Sequence, residues 1–430
     1  MPSLQSEHKE WAKTWGPHID LFLRIQRNFP GTAAPDAAPD AKTQAPPYLH
    51  YAIHPVPTTI YTTQMAAPPS LLPFVLNADN FPHHTGTYPT HHPETNEHYT
   101  PFHVAAADHA AKLYPVGLLR PAVLIALVVE EGAEGPYEFV RDPKTQDIEC
   151  VAFTAAVLAQ GHEAMNAAIA ATAARWKQAG KFPEALDGAL SLYLTPALAA
   201  DGFLKGWRNE LYAIYASPKS AALTNAPRAP FGNLVFGCER AACAVFGFAT
   251  FGVHMTAYEG EGQDMKIWVP RRSPTKATWP GMLDNSVAGG IEMGYTPFNT
   301  IVKECDEEAS LPADFVKKRL RNAGVTTYFY ITSAGFLQPE IEYIYDLPLP
   351  PRDSAEYVLP RPHDDEVESF ELKTVPETIA ALQAGEFKPN CGLILVDFLM
   401  RHGLVTPETE QNYLEISWHM HRRIGVGCPA

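Results

Sequence analysis

The spacing of apolar residues changes character along this 430-residue chain. Phe298, Ile301, Val302, Cys305 and Ala309 recur at helical intervals between Thr296-Pro297, a good helix start, and Pro312, a stop. They predict an amphipathic helix over Pro297–Ala309. Around it lie segments rich in β-branched and aromatic residues. FGFATFGVHMTAY (246–258) and MKIWVP (265–270) predict paired strands about the turn EGEGQD, and 325–333, 340–347 and 366–373 predict three more. A second helix is expected over Pro376–Ala384. Upstream, the apolar run Pro121–Val129 predicts a buried strand, and the alanine-rich stretch Val151–Ala179 a helix that Gly180 caps. Strands and helices mix without βαβ alternation, so the expected class is α+β, a mixed sheet sandwiched between helices.

Composition narrows the function. A formal charge of −15 argues against broad binding to nucleic acid and suits a protein that meets small molecules. The six scattered cysteines form no CxxC pair and suggest a reducing compartment. No secretory signal is evident, and Pro121–Val129 is too short to span a bilayer, so the expected location is cytoplasmic, with the nucleus as the alternative, and no membrane partner. Residues 1–69 form an N-terminal extension with a Pro/Ala-rich linker. His83, His84, His91, His92, His98, His103 and His109 crowd one stretch. No ligand pair there falls at fixed spacing on a recognisable element, so it is read as a surface loop and not a metal site.

The chemistry concentrates on the predicted helix at Pro297–Ala309. Glu304 and Glu308 are four apart, and Glu307 is three from Glu304, so all three share a face. Like charges at such spacings cost a helix about 0.2–0.5 kcal/mol per pair, and the last turn prefers cations. A segment that breaks both rules is a place to look for function. Gly289-Gly290 just before the helix would bring backbone carbonyls to the same space, and carboxylates with carbonyls are what a hard divalent cation prefers.

Gly289 followed by Lys303-Glu304-Cys305-Asp306-Glu307-Glu308-Ala309-Ser310-Leu311 resembles the Nudix box, with its three signature glutamates in register. Lys303 stands for an arginine, Ser310 for a glycine and Tyr295 for an early glutamate. Beyond the box, Gly206–Tyr212, Phe251–Tyr258, Trp279–Asp284, Lys388–Asn390 and Asp397–Gly403 resemble a fungal Nudix subfamily that carries an N-terminal domain of unassigned function. That subfamily includes the Nudix half of some thiamine pyrophosphokinases. The resemblance implies a Nudix α/β/α sandwich over 241–430, a smaller α+β domain over 70–240, and insertions at 1–69 and 189–205. A fused kinase is not expected, because the chain ends where one would begin.

It implies further a hydrolase of organic diphosphates, with Glu304, Glu307, Glu308 and the Gly289 carbonyl holding Mg2+ (or Mn2+) and Glu304 or Glu307 as catalytic base. Glu366 or Glu368 on a later strand could take the base's place. Arg271, Arg272 and Lys276 would grip phosphate oxygens, or else form an ordinary basic loop. The subfamily points to thiamine diphosphate or its oxidised forms, with Trp268, Trp279, Tyr328 and Tyr330 as stacking candidates against a sheet-packing alternative. Competing readings are ADP-ribose or coenzyme A hydrolysis, isopentenyl-type isomerisation, and a non-catalytic binding module.

Overall fold

The computed structural model describes residues 69–132, 134–186, 206–225, 232–276 and 278–430. The expected N-terminal extension, save its last residue, and the stretch 189–205 lie outside the described residues.

Helix α1 (Leu72–Leu76) precedes a four-stranded sheet of β1 (Thr100–Phe102), β2 (Gly117–Leu119), β3 (Tyr137–Arg141) and β4 (Ile148–Phe153). Its order is β2-β1-β4-β3, with β1 and β4 parallel. The apolar run expected as a strand is instead a helix, α2 (Pro121–Glu131). Pro121 at its first turn presets a helical φ and needs no donor there, and Gly132 at φ +57° ends it. Only Val123, Ala126 and Leu127 of this helix are buried while Val129 stays exposed, a one-sided packing that a continuous apolar run conceals. The alanine-rich stretch divides as well. Its first three residues finish β4, and Gly161 at φ +83° separates α3 (Ala155–Gln160) from α4 (His162–Gln178). Gly180 follows α4 in the left-handed region, as expected of a cap. Trp176 and Ile169 of α4 close an aromatic core with Phe102, Phe153 and Phe246.

An antiparallel ribbon of β5 (Leu211–Tyr215) and β6 (Leu234–Glu239) leads into helix α5 (Arg240–Phe246). The expected strand at 246 therefore starts only at Thr250.

The C-terminal half centres on β7 (Thr250–Glu259), β8 (Lys266–Arg272) and β9 (Val287–Gly290). Next come α6 (Pro297–Ala309), α7 (Ala313–Arg319), β10 (Arg321–Ile331), β11 (Leu337–Pro348) and β12 (Val367–Thr374). Helices α8 (Val375–Gln383), α9 (Pro389–Arg401) and α10 (Tyr413–Met420) complete it. The sheet runs β10-β11-β7-β8-β12 and is mixed, since β11 and β7 are parallel. One edge of β7 is shared. Gly252–Met255 pair with β9 and Tyr258–Glu259 with β8.

Side-chain alternation assigns the faces. Phe251, Val253, Met255 and Ala257 meet Ile301, Val302, Cys305 and Ala309 of α6. Tyr258, Ile267, Val269, Tyr328 and Ile344 point the other way, onto Leu393, Ile394 and Phe398 of α9. The result is the expected α/β/α sandwich. Its α6-side core also takes Phe81, Tyr99, Leu118, Ala213, Tyr215 and Leu234 from the N-terminal half. No helix among the described residues is long and apolar enough to cross a membrane, and all six cysteines are unpaired.

Candidate active site

Helix α6 begins where the sequence says it should: Thr296 Oγ1 accepts the Asn299 amide at 3.2 Å, and Pro297 fills the first position. It ends at Ser310, at φ +54° in the left-handed region that glycine favours. The glycine of the resembled motif has a physical reason there, and this chain accommodates a serine in the same conformation.

The apolar stripe of α6 fixes where its acids go. Glu304 folds onto β9. A β-carbon at Gly289 would lie 2.5 Å from the Glu304 carboxyl carbon and 2.7 Å from its Oε1. One turn on, Glu308 Oε2 accepts the Ala288 amide at 3.0 Å. Glu307 sits at the rim with its side chain 48% exposed, and Lys303 Nζ lies 2.8 Å from it and 3.5 Å from Glu304. Burial pushes the Glu304 carboxyl up to about 7; Lys303 pulls the other way, and Glu307 and Glu366 reinforce burial. Burial and the neighbouring Asp284 also raise Glu308. Carboxylates crowded this way are short of positive charge.

Glu304, Glu308 and the Gly289 carbonyl offer the oxygens a divalent cation prefers, whereas Glu307 stands apart at the rim, so the three glutamates do not close on one point. The donors are hard oxygens, a side chain at 289 would fill the space, and the acids resist ionising without a cation.

The basic candidates ahead of the helix are all engaged. Lys276 pairs with Glu366, while Arg271 Nη1 donates to the Gly281 carbonyl at 2.8 Å. Arg272 is buried, with Nη1 on Asp284 and Nε and Nη2 on the Trp279 and Thr278 carbonyls. Glu366 lies close enough to Glu304 to perturb it, whereas Glu368 is exposed. Burial works to raise Asp284, but Lys388, Arg272 and the Cys391 thiol hold it well below the usual carboxylate range.

Sequence reasoning missed a second acidic group on the opposite face of the sheet. The Tyr328 hydroxyl lies within hydrogen-bond reach of both Glu340 and Glu342 and donates its one proton between them, and Glu342 Oε2 lies 3.6 Å from His254 Nε2. Burial disfavours a charge on His254, and the Glu342 carboxylate overrides it, raising the imidazole well above its usual range. A β-carbon at Gly252 would strike Glu342, and one at Gly290 would strike the Tyr212 hydroxyl. The paired glycines 252 and 290 thus form a thin floor, with Tyr212 reaching it from the N-terminal half. The missed signal was the alternation of Gln338, Glu340, Glu342 and Asp346 along one face of β11, opposite the apolar Ile341, Tyr345 and Leu347.

The stacking candidates separate. Trp268 and Tyr328 are buried in the sheet's two cores. Trp279 and Tyr330 instead line a cavity of about 390 Å³ with Phe74, Met282, Phe387 and Pro389.

An acidic helix seated on a glycine strand, within an α/β/α sandwich, is the arrangement that the Nudix resemblance implies for the C-terminal half. The model of the NUDIX domain family matches residues 250–391, from the first residue of β7 into α9. An uncharacterised protein of Saccharomyces cerevisiae is 41% identical over 248 residues, 55% of this chain and 66% of its own length. Nudix hydrolase 20, chloroplastic, of Arabidopsis thaliana is 35% identical over 265 residues, 58% of this chain and 65% of its own. The chain thus spans just under two thirds of these relatives' lengths. A crystal structure from Deinococcus radiodurans aligns over 32% of this chain and 75% of its own, at 21% identity and a TM-score of 0.24.

Proposed function

We propose that the protein is a magnesium-dependent hydrolase of an organic diphosphate, and that its substrate is thiamine diphosphate or an oxidised form, cut to the monophosphate. The seating of Glu304 and Glu308 on β9, inside the matched domain, carries the reading. Glu304, Glu307 and Glu308 with the Gly289 carbonyl would hold Mg2+ (Mn2+ being the alternative), which when bound neutralises the diphosphate and acidifies water. Phosphoryl transfer then asks the protein for positioning and charge stabilisation.

Lys276 supplies the first of these. The proton of the attacking water goes to Glu304 or Glu307, or, once the Lys276 ammonium moves from Glu366 to a phosphate oxygen, to the freed Glu366 carboxylate beside Glu304. Arg271 adds a second contact to the non-bridging oxygens. Arg272, engaged with Asp284, holds the 278–279 backbone that carries Trp279. The thiamine-type substrate rests on the motifs outside the helix, and the aromatic side chains of Trp279 and Tyr330 in the cavity are the candidates to stack its ring. Buried Cys305 faces the core, which speaks against the isomerase reading. The division into a domain over 70–240 and the Nudix domain over 241–430 belongs to this proposal, with Tyr212 as the first domain's contribution to the site.

A panel of diphosphates assayed with magnesium and with chelator tests it. Monophosphate release should require magnesium, and oxidised thiamine diphosphates should exceed ADP-ribose in kcat/KM. A panel led by ADP-ribose would overturn the substrate; no cleavage of any member would overturn the hydrolase.

A further inference from the structure

One histidine of the crowded stretch leaves its neighbours for a different set of partners. Asp79, just after α1, is fully buried. Its Oδ1 accepts the Phe329 amide at 2.7 Å and Arg422 Nη1 at 2.9 Å. Its Oδ2 faces His419 Nδ1 of α10 at 2.6 Å and His83 Nε2 at 3.8 Å, and the two ring nitrogens stand 3.4 Å apart. Three atoms able to ligate a metal therefore converge on one point. With His419 Nδ1 donating to Oδ2 at 2.6 Å, that nitrogen has no lone pair to offer His83 Nε2, which at 3.8 Å is also beyond hydrogen-bond reach of Oδ2. An ion at the centre answers all three.

A second observation supports this reading. The other ring nitrogen of His419, Nε2, faces Glu415 Oε1 at 3.5 Å. A carboxylate behind a histidine, on the nitrogen away from the ligating one, is the arrangement that orients metal-binding imidazoles and raises their basicity. Arg422 occupies only Oδ1, leaving Oδ2 to the shared point, and Glu415 offsets part of the added charge. The His83 side chain is 47% exposed, so the point is open to solvent.

We propose that Asp79, His83 and His419 bind a divalent ion of the zinc type. Two imidazoles and one carboxylate form a donor set for borderline ions, in contrast to the oxygen-only cradle of Glu304 and Glu308. Three protein ligands leave a fourth position to water. The ion joins the segment following α1 to α10, residues more than 330 positions apart in the chain. This inference is independent of the proposed hydrolysis.

The test uses the full chain, stripped with chelator and titrated with Co2+ in excess Mg2+, which holds the oxygen-only site. Visible d–d absorption reports nitrogen-ligated cobalt. One equivalent should produce the band in the native protein, His83→Ala should abolish it, and Glu415→Gln should weaken binding about tenfold. Zinc should raise the Tm of the native protein and leave that of His83→Ala unmoved. His83 is half exposed, so the variant should keep the native circular dichroism spectrum. A cobalt band or zinc-induced Tm shift equal in native protein and His83→Ala, or absent from both, would overturn the assignment.

Discussion

Glu304 packs so closely on Gly289 that a β-carbon at 289 would come within 2.5 Å of its carboxyl carbon. The collision is with the end of a flexible side chain, not with backbone. Gly289→Ala should therefore fold with nearly native Tm yet turn the Glu304 carboxyl out of the cradle. We expect kcat to fall about 100-fold, as the loss of roughly 3 kcal/mol of charge stabilisation implies. Thermal unfolding and diphosphate turnover, measured on one preparation, separate these effects; native turnover would show that Glu304 need not lie on β9.

Among the described residues Glu307 is tied to Lys303 alone, and it is half exposed. Glu307→Gln should leave stability within about 0.5 kcal/mol while removing turnover. A variant of near-native activity would take Glu307 out of the mechanism.

Burial raises Glu304 from its ordinary 4.5 to about 7 in the metal-free protein. Between those values the folded chain binds more protons than the unfolded chain, so this group's contribution to metal-free stability falls as pH rises. Magnesium binds the ionised form and removes that loss. The Tm difference between magnesium and chelator should widen from about pH 5 to about pH 8. Scanning calorimetry across that range reads it, and a gap independent of pH would contradict the cradle's electrostatics.

Trp279 is 39% exposed at the cavity's edge, so its ring stabilises little of the fold. Trp279→Ala should raise KM about fivefold for an aromatic substrate, from about 1 kcal/mol of lost stacking. Steady-state kinetics should show kcat nearly unchanged, and an unaltered KM would remove the cavity from substrate binding.

Ser310 holds a left-handed conformation that costs a non-glycine residue about 1–2 kcal/mol. Ser310→Gly should raise stability by about 1 kcal/mol, allowing for glycine's greater chain entropy, with activity retained. Denaturant titration measures the gain.

Helix α6 was legible from Thr296, Pro297 and the stripe ending at Ala309, because local capping and burial agree there. Five strands of the large sheet were legible within a few residues; β9 was not, because Gly289-Gly290 reads as a turn and only its pairing with β7 makes it a strand. Pro121–Glu131 was not, since an unbroken apolar run hides which face is buried. Glu304, Glu307 and Glu308 stood out by breaking helix rules. Their relation to Ala288 and Gly289 depends on a pairing with β7 that spacing alone does not specify. The Glu340–Glu342–Tyr328–His254 group was hidden for the same reason: three strands assemble it.

Phe81 stacks on Phe329 at 4.4 Å, and Tyr212 covers Gly290. The two halves of the chain are consequently not interchangeable cassettes. A fragment starting at residue 241 would present bare sheet where Phe81, Ala213 and Tyr215 now lie, so mutations in one half constrain which changes the other can tolerate.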